Sequence, residues 1–102
     1  MAYIGKVKVS TEWTTVEDLV QAQVEGQSTF AFDGDTTYQL QAESDSGCRF
    51  VEASSTPEDP KDGNCIIGTQ CAFYKKDTGD LYVRSVAKAN ESCLLKISTV
   101  GD

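Results

Sequence analysis

Thr37-Tyr38-Gln39-Leu40-Gln41-Ala42 decides the fold class. Its apolar residues Tyr38, Leu40 and Ala42 fall at every second position, with glutamine between them. Successive side chains of a strand point to opposite faces, so the segment reads as a strand with one buried and one wetted side. The same period recurs in both directions. Upstream, Tyr3, Ile4, Val7 and Val9 make a first, imperfect strand, and downstream Cys48-Arg49-Phe50-Val51-Glu52-Ala53 makes another. A run from Thr69 to Lys75 follows, with Cys71 and Phe73 expected inward and Ala72 and Tyr74 on the opposite face. Lys75-Lys76-Asp77-Thr78-Gly79-Asp80 has the glycine of a hairpin turn, and Leu81-Tyr82-Val83-Arg84-Ser85-Val86 is the returning run. After a polar turn at Lys88-Ala89-Asn90-Glu91, Cys93, Leu95 and Ile97 line the inner face of a last strand. These three final strands read as an antiparallel meander.

One segment departs from the pattern. Thr14-Thr15-Val16-Glu17-Asp18-Leu19-Val20 offers a capping threonine, acids in a first turn, and Val16, Leu19 and Val20 at helical spacing. A short helix is expected near residues 15–21, with a strand through Val20, Ala22 and Val24 as its rival or successor. Phe32-Asp33-Gly34-Asp35-Thr36 reads as a tight turn between strands. Residues 54–64 hold both prolines, Pro57 and Pro60, and read as a long exposed connection. Seven or eight short strands at about 8–12-residue spacing predict an all-β domain, an antiparallel β-sandwich or jelly-roll-like barrel over residues 1–102.

Charge narrows the function. Sixteen acids against nine bases give a net charge of −7, which opposes nucleic acid and anionic membrane surfaces as partners. Residues 43–62 are acidic and residues 75–102 slightly basic. The chain has no histidine, which removes the usual general base and the usual zinc ligand. No apolar run approaches the roughly 20 residues that span a bilayer. Met1-Ala2-Tyr3-Ile4-Gly5-Lys6 lacks the pattern of a signal peptide and is read as the start of an unprocessed chain made in a cytosol. In that compartment Cys48, Cys65, Cys71 and Cys93 are expected to be buried free thiols, with disulfides and then a metal site as alternatives.

Little chemistry is left. A thiolate at Cys71 or Cys93 has no histidine to activate it. Asp33 and Asp35, like Glu58 and Asp59, lie beside Gly or Pro, where carboxylates satisfy local amides. Asp33-Gly34-Asp35 and Asp62-Gly63-Asn64 present oxygen ligands but do not continue into an EF-hand pattern, so ordinary turn chemistry is the better reading. No enzyme activity, metal or cofactor is expected. Tyr74, Tyr82 and Arg84, on the face opposite Cys71 and Leu81, have the composition favoured at protein interfaces, and Trp13 joins them as a site residue. Apolar residues on both faces of these strands predict burial against another subunit.

Trp13-Thr14-Thr15-Val16-Glu17-Asp18-Leu19, Tyr38-Gln39-Leu40-Gln41, Val51-Glu52-Ala53 before a proline loop, and the run from Tyr74 to Ser85 together resemble small all-β virion proteins of tailed bacteriophages. The resemblance spans roughly residues 13–99. It implies a non-enzymatic structural protein of the virion, assembled in the host cytoplasm: a capsid decoration or head-surface protein that oligomerises, as a trimer in the favoured case. Its partners would be copies of itself and other virion proteins such as the major capsid protein. On that expectation the Tyr74, Tyr82 and Arg84 face docks, and the acidic loop at residues 57–62 projects outward. The alternative is a tail-fibre or tail-tip module that binds a host receptor or glycan through Trp13 and the tyrosines. A small enzyme inhibitor presenting residues 57–60 is a third reading.

Overall fold

In the computed structural model, which describes residues 3–42, 47–59, 63–66, 70–86 and 93–100, Tyr38, Leu40 and Ala42 are 4%, 1% and 1% exposed. Their strand, β3 (Tyr38–Ala42), follows β1 (Tyr3–Val9), the two-residue β2 (Thr14–Thr15) and helix α1 (Val16–Gln23). It precedes β4 (Cys48–Ala53), β5 (Asn64–Ile66), β6 (Cys71–Tyr74), β7 (Asp80–Ser85) and β8 (Cys93–Thr99). The strands form two antiparallel sheets of four, ordered β1-β8-β3-β6 and β2-β7-β4-β5. The two inner faces enclose one core, which includes Val7, Leu40, Phe50, Val83, Leu95 and Ile97. The chain is an all-β sandwich.

The final strands do not form a meander. β6 is the edge of the first sheet, β7 is an inner strand of the second, and β8 returns to the middle of the first. The Gly79 turn is therefore a crossover between sheets. It is seated on the end of β4, where a Cβ on Gly79 would lie 2.8 Å from the Ala53 carbonyl oxygen. Glu52 accepts a hydrogen bond from the Asp77 backbone N–H at 2.9 Å in the same place. The chemistry of a Gly turn suits a hairpin and a crossover equally. The turn anticipated at residues 88–91, and Thr69 before β6, lie outside the described residues.

The helix forms where capping and spacing predict it. The Thr15 hydroxyl accepts from the Asp18 N–H at 3.2 Å, Glu17 and Asp18 lie in the first turn, and Val16 and Val20 are buried. The helix continues to Gln23, so residues 20–24 form no strand. Its position closes one side of the sandwich. Val24 packs so near Gly5 that a Cβ on Gly5 would come within 2.6 Å of the Val24 side chain. Gln23 accepts from the Lys8 N–H at 2.8 Å and donates to the Lys8 carbonyl at 3.0 Å, so its amide stands in for a neighbouring strand on the β1 edge. The turn at Asp33 connects this helix to β3 and does not join two strands. Among the described residues no helix is long and apolar enough to cross a membrane.

Cys48 and Cys93 form a disulfide, which corrects the expectation of free thiols at these positions. The bridge links β4 to β8, hence one sheet to the other, across a sequence separation of 45. A cross-link closing a loop of that length restricts the unfolded chain by about 4 kcal/mol. Cys93→Ser should lower the free energy of unfolding in urea by about 2–4 kcal/mol. Thr15→Ala should cost about 1 kcal/mol in the same experiment through the lost cap.

Candidate docking face

In β7 the buried Leu81, Val83 and Ser85 alternate with Asp80, Tyr82 and Arg84, which face outward from the second sheet. Thr14 pairs with Val83 and Thr15 with Tyr82, so Trp13, one residue earlier, falls beside Arg84. The Arg84 guanidinium carbon lies 5.8 Å from the centre of the indole ring, a cation–π contact. On the other side of β7, Val51 pairs with Tyr82 and Arg49 with Arg84. Arg49 is in turn in register with Cys65 on β5. Both arginines of a chain with net charge −7 therefore stand side by side on one sheet face. The pairing sets two guanidinium groups directly opposite on neighbouring strands, where like charges repel.

Trp13, Tyr82 and Arg84 are all half-buried, and the chain itself supplies part of the cover. The Trp13 indole N–H donates to the Asp59 carbonyl at 3.3 Å. The chain leaves β4 at Ala53, opposite Asp80, and enters β5 at Asn64, opposite Phe50. To meet Trp13 it must double back over β4 and β7. The diagonal from Ala53 to the Trp13 position is about 17 Å at ordinary strand spacing. Six extended residues reach about 20 Å, enough to cover that diagonal, and the chain bends at Ser54, Ser55 and Glu58 on the way. The return is tight as well: Gly63 has φ 82°, and a Cβ there would overlap the Phe50 carbonyl. The acidic connection is exposed at residues 54–56, 58 and 59, as expected, and instead of projecting freely it meets the second sheet as a strap through the Asp59 carbonyl. Residues 60–62 lie outside the described residues.

Tyr74 does not join this face. It sits on β6 in the other sheet and points inward, with its ring 4.9 Å from that of Phe32 and edge-on to it. Its hydroxyl donates to Glu52 at 3.1 Å. Burial, then this hydrogen bond and the Glu52 charge, push the phenol well above its ordinary range. Cys71 and Phe73 point outward, the reverse of the expected facing, and Phe73 is 64% exposed. Every residue of Cys-Ala-Phe-Tyr can be buried, so the alternation carries no phase. The Tyr74–Glu52 bond and the Phe30, Phe32 and Tyr38 aromatic cluster select it.

Two features lie beyond the residues that the sequence pattern singles out. Arg49 belongs to the docking face, and the period-two pattern that buries Cys48 and Phe50 already placed it outward. A cleft of about 300 Å³ opens between the edges of β5 and β6, with Leu40, Phe50, Ile66 and Leu81 in its floor and Asn64 and Lys75 among its lining. No local pattern signals it, because it depends on which strands end the two sheets.

The remaining candidate groups fill structural positions. Asp33 accepts from the Asp35 N–H at 2.9 Å and from the Thr36 hydroxyl at 3.3 Å, closing its own turn. Asp62 lies outside the described residues. Among the described residues no three metal-ligating side chains converge. Cys65 and Cys71 are free thiols on the outer faces of opposite sheets, half-buried and exposed respectively. Comparison with protein-family models, curated proteins and solved structures gives no match.

The raised Tyr74 phenol makes a pH prediction. The folded state holds this proton more tightly than the unfolded chain, whose tyrosines titrate near pH 10. Its contribution is complete below about pH 10 and is lost as pH rises toward the folded value. Urea midpoints measured from pH 8 to pH 11.5 should fall more steeply in the unmodified protein than in Tyr74→Phe.

Proposed function

We propose that this chain is a non-enzymatic structural protein that docks through the outer face of its second sheet. The observation that carries the reading is the gathering of Trp13, Tyr82 and Arg84 on one sheet face, with Arg49 beside them. Tryptophan, tyrosine and arginine dominate the energetics of protein interfaces, because each buries a large area while keeping a polar or charged handle. The sequence resemblance supplies the setting: a capsid decoration or head-surface protein of a tailed phage, which forms a homo-oligomer, a trimer in the favoured case, and seats on the major capsid protein. The Cys48–Cys93 link fits a particle that is assembled in a cytoplasm and then lives outside it, since disulfides persist on virion surfaces.

The glycan-binding alternative asks for a free aromatic platform. Here Arg84 lies over the indole ring and the Asp59 carbonyl holds its N–H. Those contacts favour a protein partner over a stacked sugar. Light scattering behind a sizing column should give an oligomeric mass for the unmodified chain. Tyr82→Ala should weaken association by about 2 kcal/mol or more, roughly thirtyfold, with the far-ultraviolet spectrum unchanged. Association that survives Tyr82→Ala rejects the reading.

A further inference from the structure

The strap meets the docking face through a backbone carbonyl and carries acidic side chains beside it. Residues 57–59 are Pro-Glu-Asp, and they reach a face that carries Arg49 and Arg84. A carbonyl of the strap accepts from the indole N–H, while the charges on the two sides are opposite in sign. Charge complementarity, a backbone acceptor and a proline that limits the freedom of the segment are the elements of recognition for an extended acidic peptide.

We infer that the outer face of the second sheet binds an acidic, extended segment of a partner protein, and that the strap is the internal occupant this segment displaces. The inference rests on the docking reading for the choice of face and adds to it the partner's chemistry and a built-in competitor. An intramolecular occupant competes at an effective concentration in the millimolar range for a short connection. Only a partner that exceeds it in charge or contact gains the site, which discriminates against weakly acidic surfaces.

Trp13 is the chain's one tryptophan, so its fluorescence reports this site alone. A synthetic peptide with the sequence of residues 54–64 is titrated into the full chain and into E58Q/D59N, whose strap keeps its length and loses charge. The Kd read from Trp13 emission should be about tenfold lower in the double variant, and adding R84Q should raise it about tenfold or more. Equal affinity in the unmodified chain and E58Q/D59N overturns the competition, and affinity indifferent to R84Q overturns the acidic preference.

A second measurement needs no variant. Acrylamide, a neutral quencher, should reach Trp13 more readily as salt is raised and the strap's attraction is screened. Quenching that does not change with salt overturns the strap's electrostatic seating. Loss of association in Tyr82→Ala with no peptide response in any variant removes this inference and leaves the docking reading standing. A peptide response with association intact in Tyr82→Ala does the reverse.

Discussion

The bond between Cys48 and Cys93 joins an inner strand of each sheet, and the rest of the arrangement hangs on that connection. Two sheets that face each other through Val, Leu and Ile side chains are held by a non-directional force. A single cross-link fixes which point of one sheet lies over which point of the other. The link lies beside the Arg49–Arg84 row, since Cys48 precedes Arg49 and pairs with Ser85. The arginine row and the inter-sheet anchor therefore share one end of β4.

Alternation was legible wherever only one phase could be buried. β3 and the start of β4 present polar residues on the outer side, and their facing follows directly. In the last strand Cys93, Leu95 and Ile97 set the phase against Lys96 and Ser98, although Leu94 also faces outward. β6 could not be read this way, because its burial depends on a tyrosine hydroxyl finding a carboxylate on the opposite sheet. Strand order was equally hidden. Turn residues describe how the chain bends and say nothing of which sheet it enters next. β2 and β5, at two and three residues, are too short to show any period. Cysteine spacing likewise left pairing open, because the partners come from strands far apart in sequence.

Net charge described the molecule poorly as a partner meets it. Lys6, Lys8 and Lys96 lie on the outer side of the first sheet, with Lys6 and Lys96 in register, and the arginines occupy the outer side of the second. Among the described residues, acids concentrate in the helix, the turns and the strap, at Glu17, Asp18, Asp33, Glu58 and Asp59. A chain that is anionic in total thus offers cationic strands between acidic loops. Sequence arithmetic excluded nucleic acid on the sum, whereas contact is made with the distribution.

The first sheet has unlike ends. At β1 the Gln23 amide occupies both backbone groups of Lys8, while at β6 no further described strand follows. Such a sheet offers its two edges unequally to a further strand. Two copies meeting through β6 would join their first sheets into eight strands, each end a β1 whose Lys8 backbone groups Gln23 already holds. A strand added at that end would have to displace the Gln23 amide. The glutamine at the end of a short helix thus takes a strand's place on one backbone edge of the sandwich.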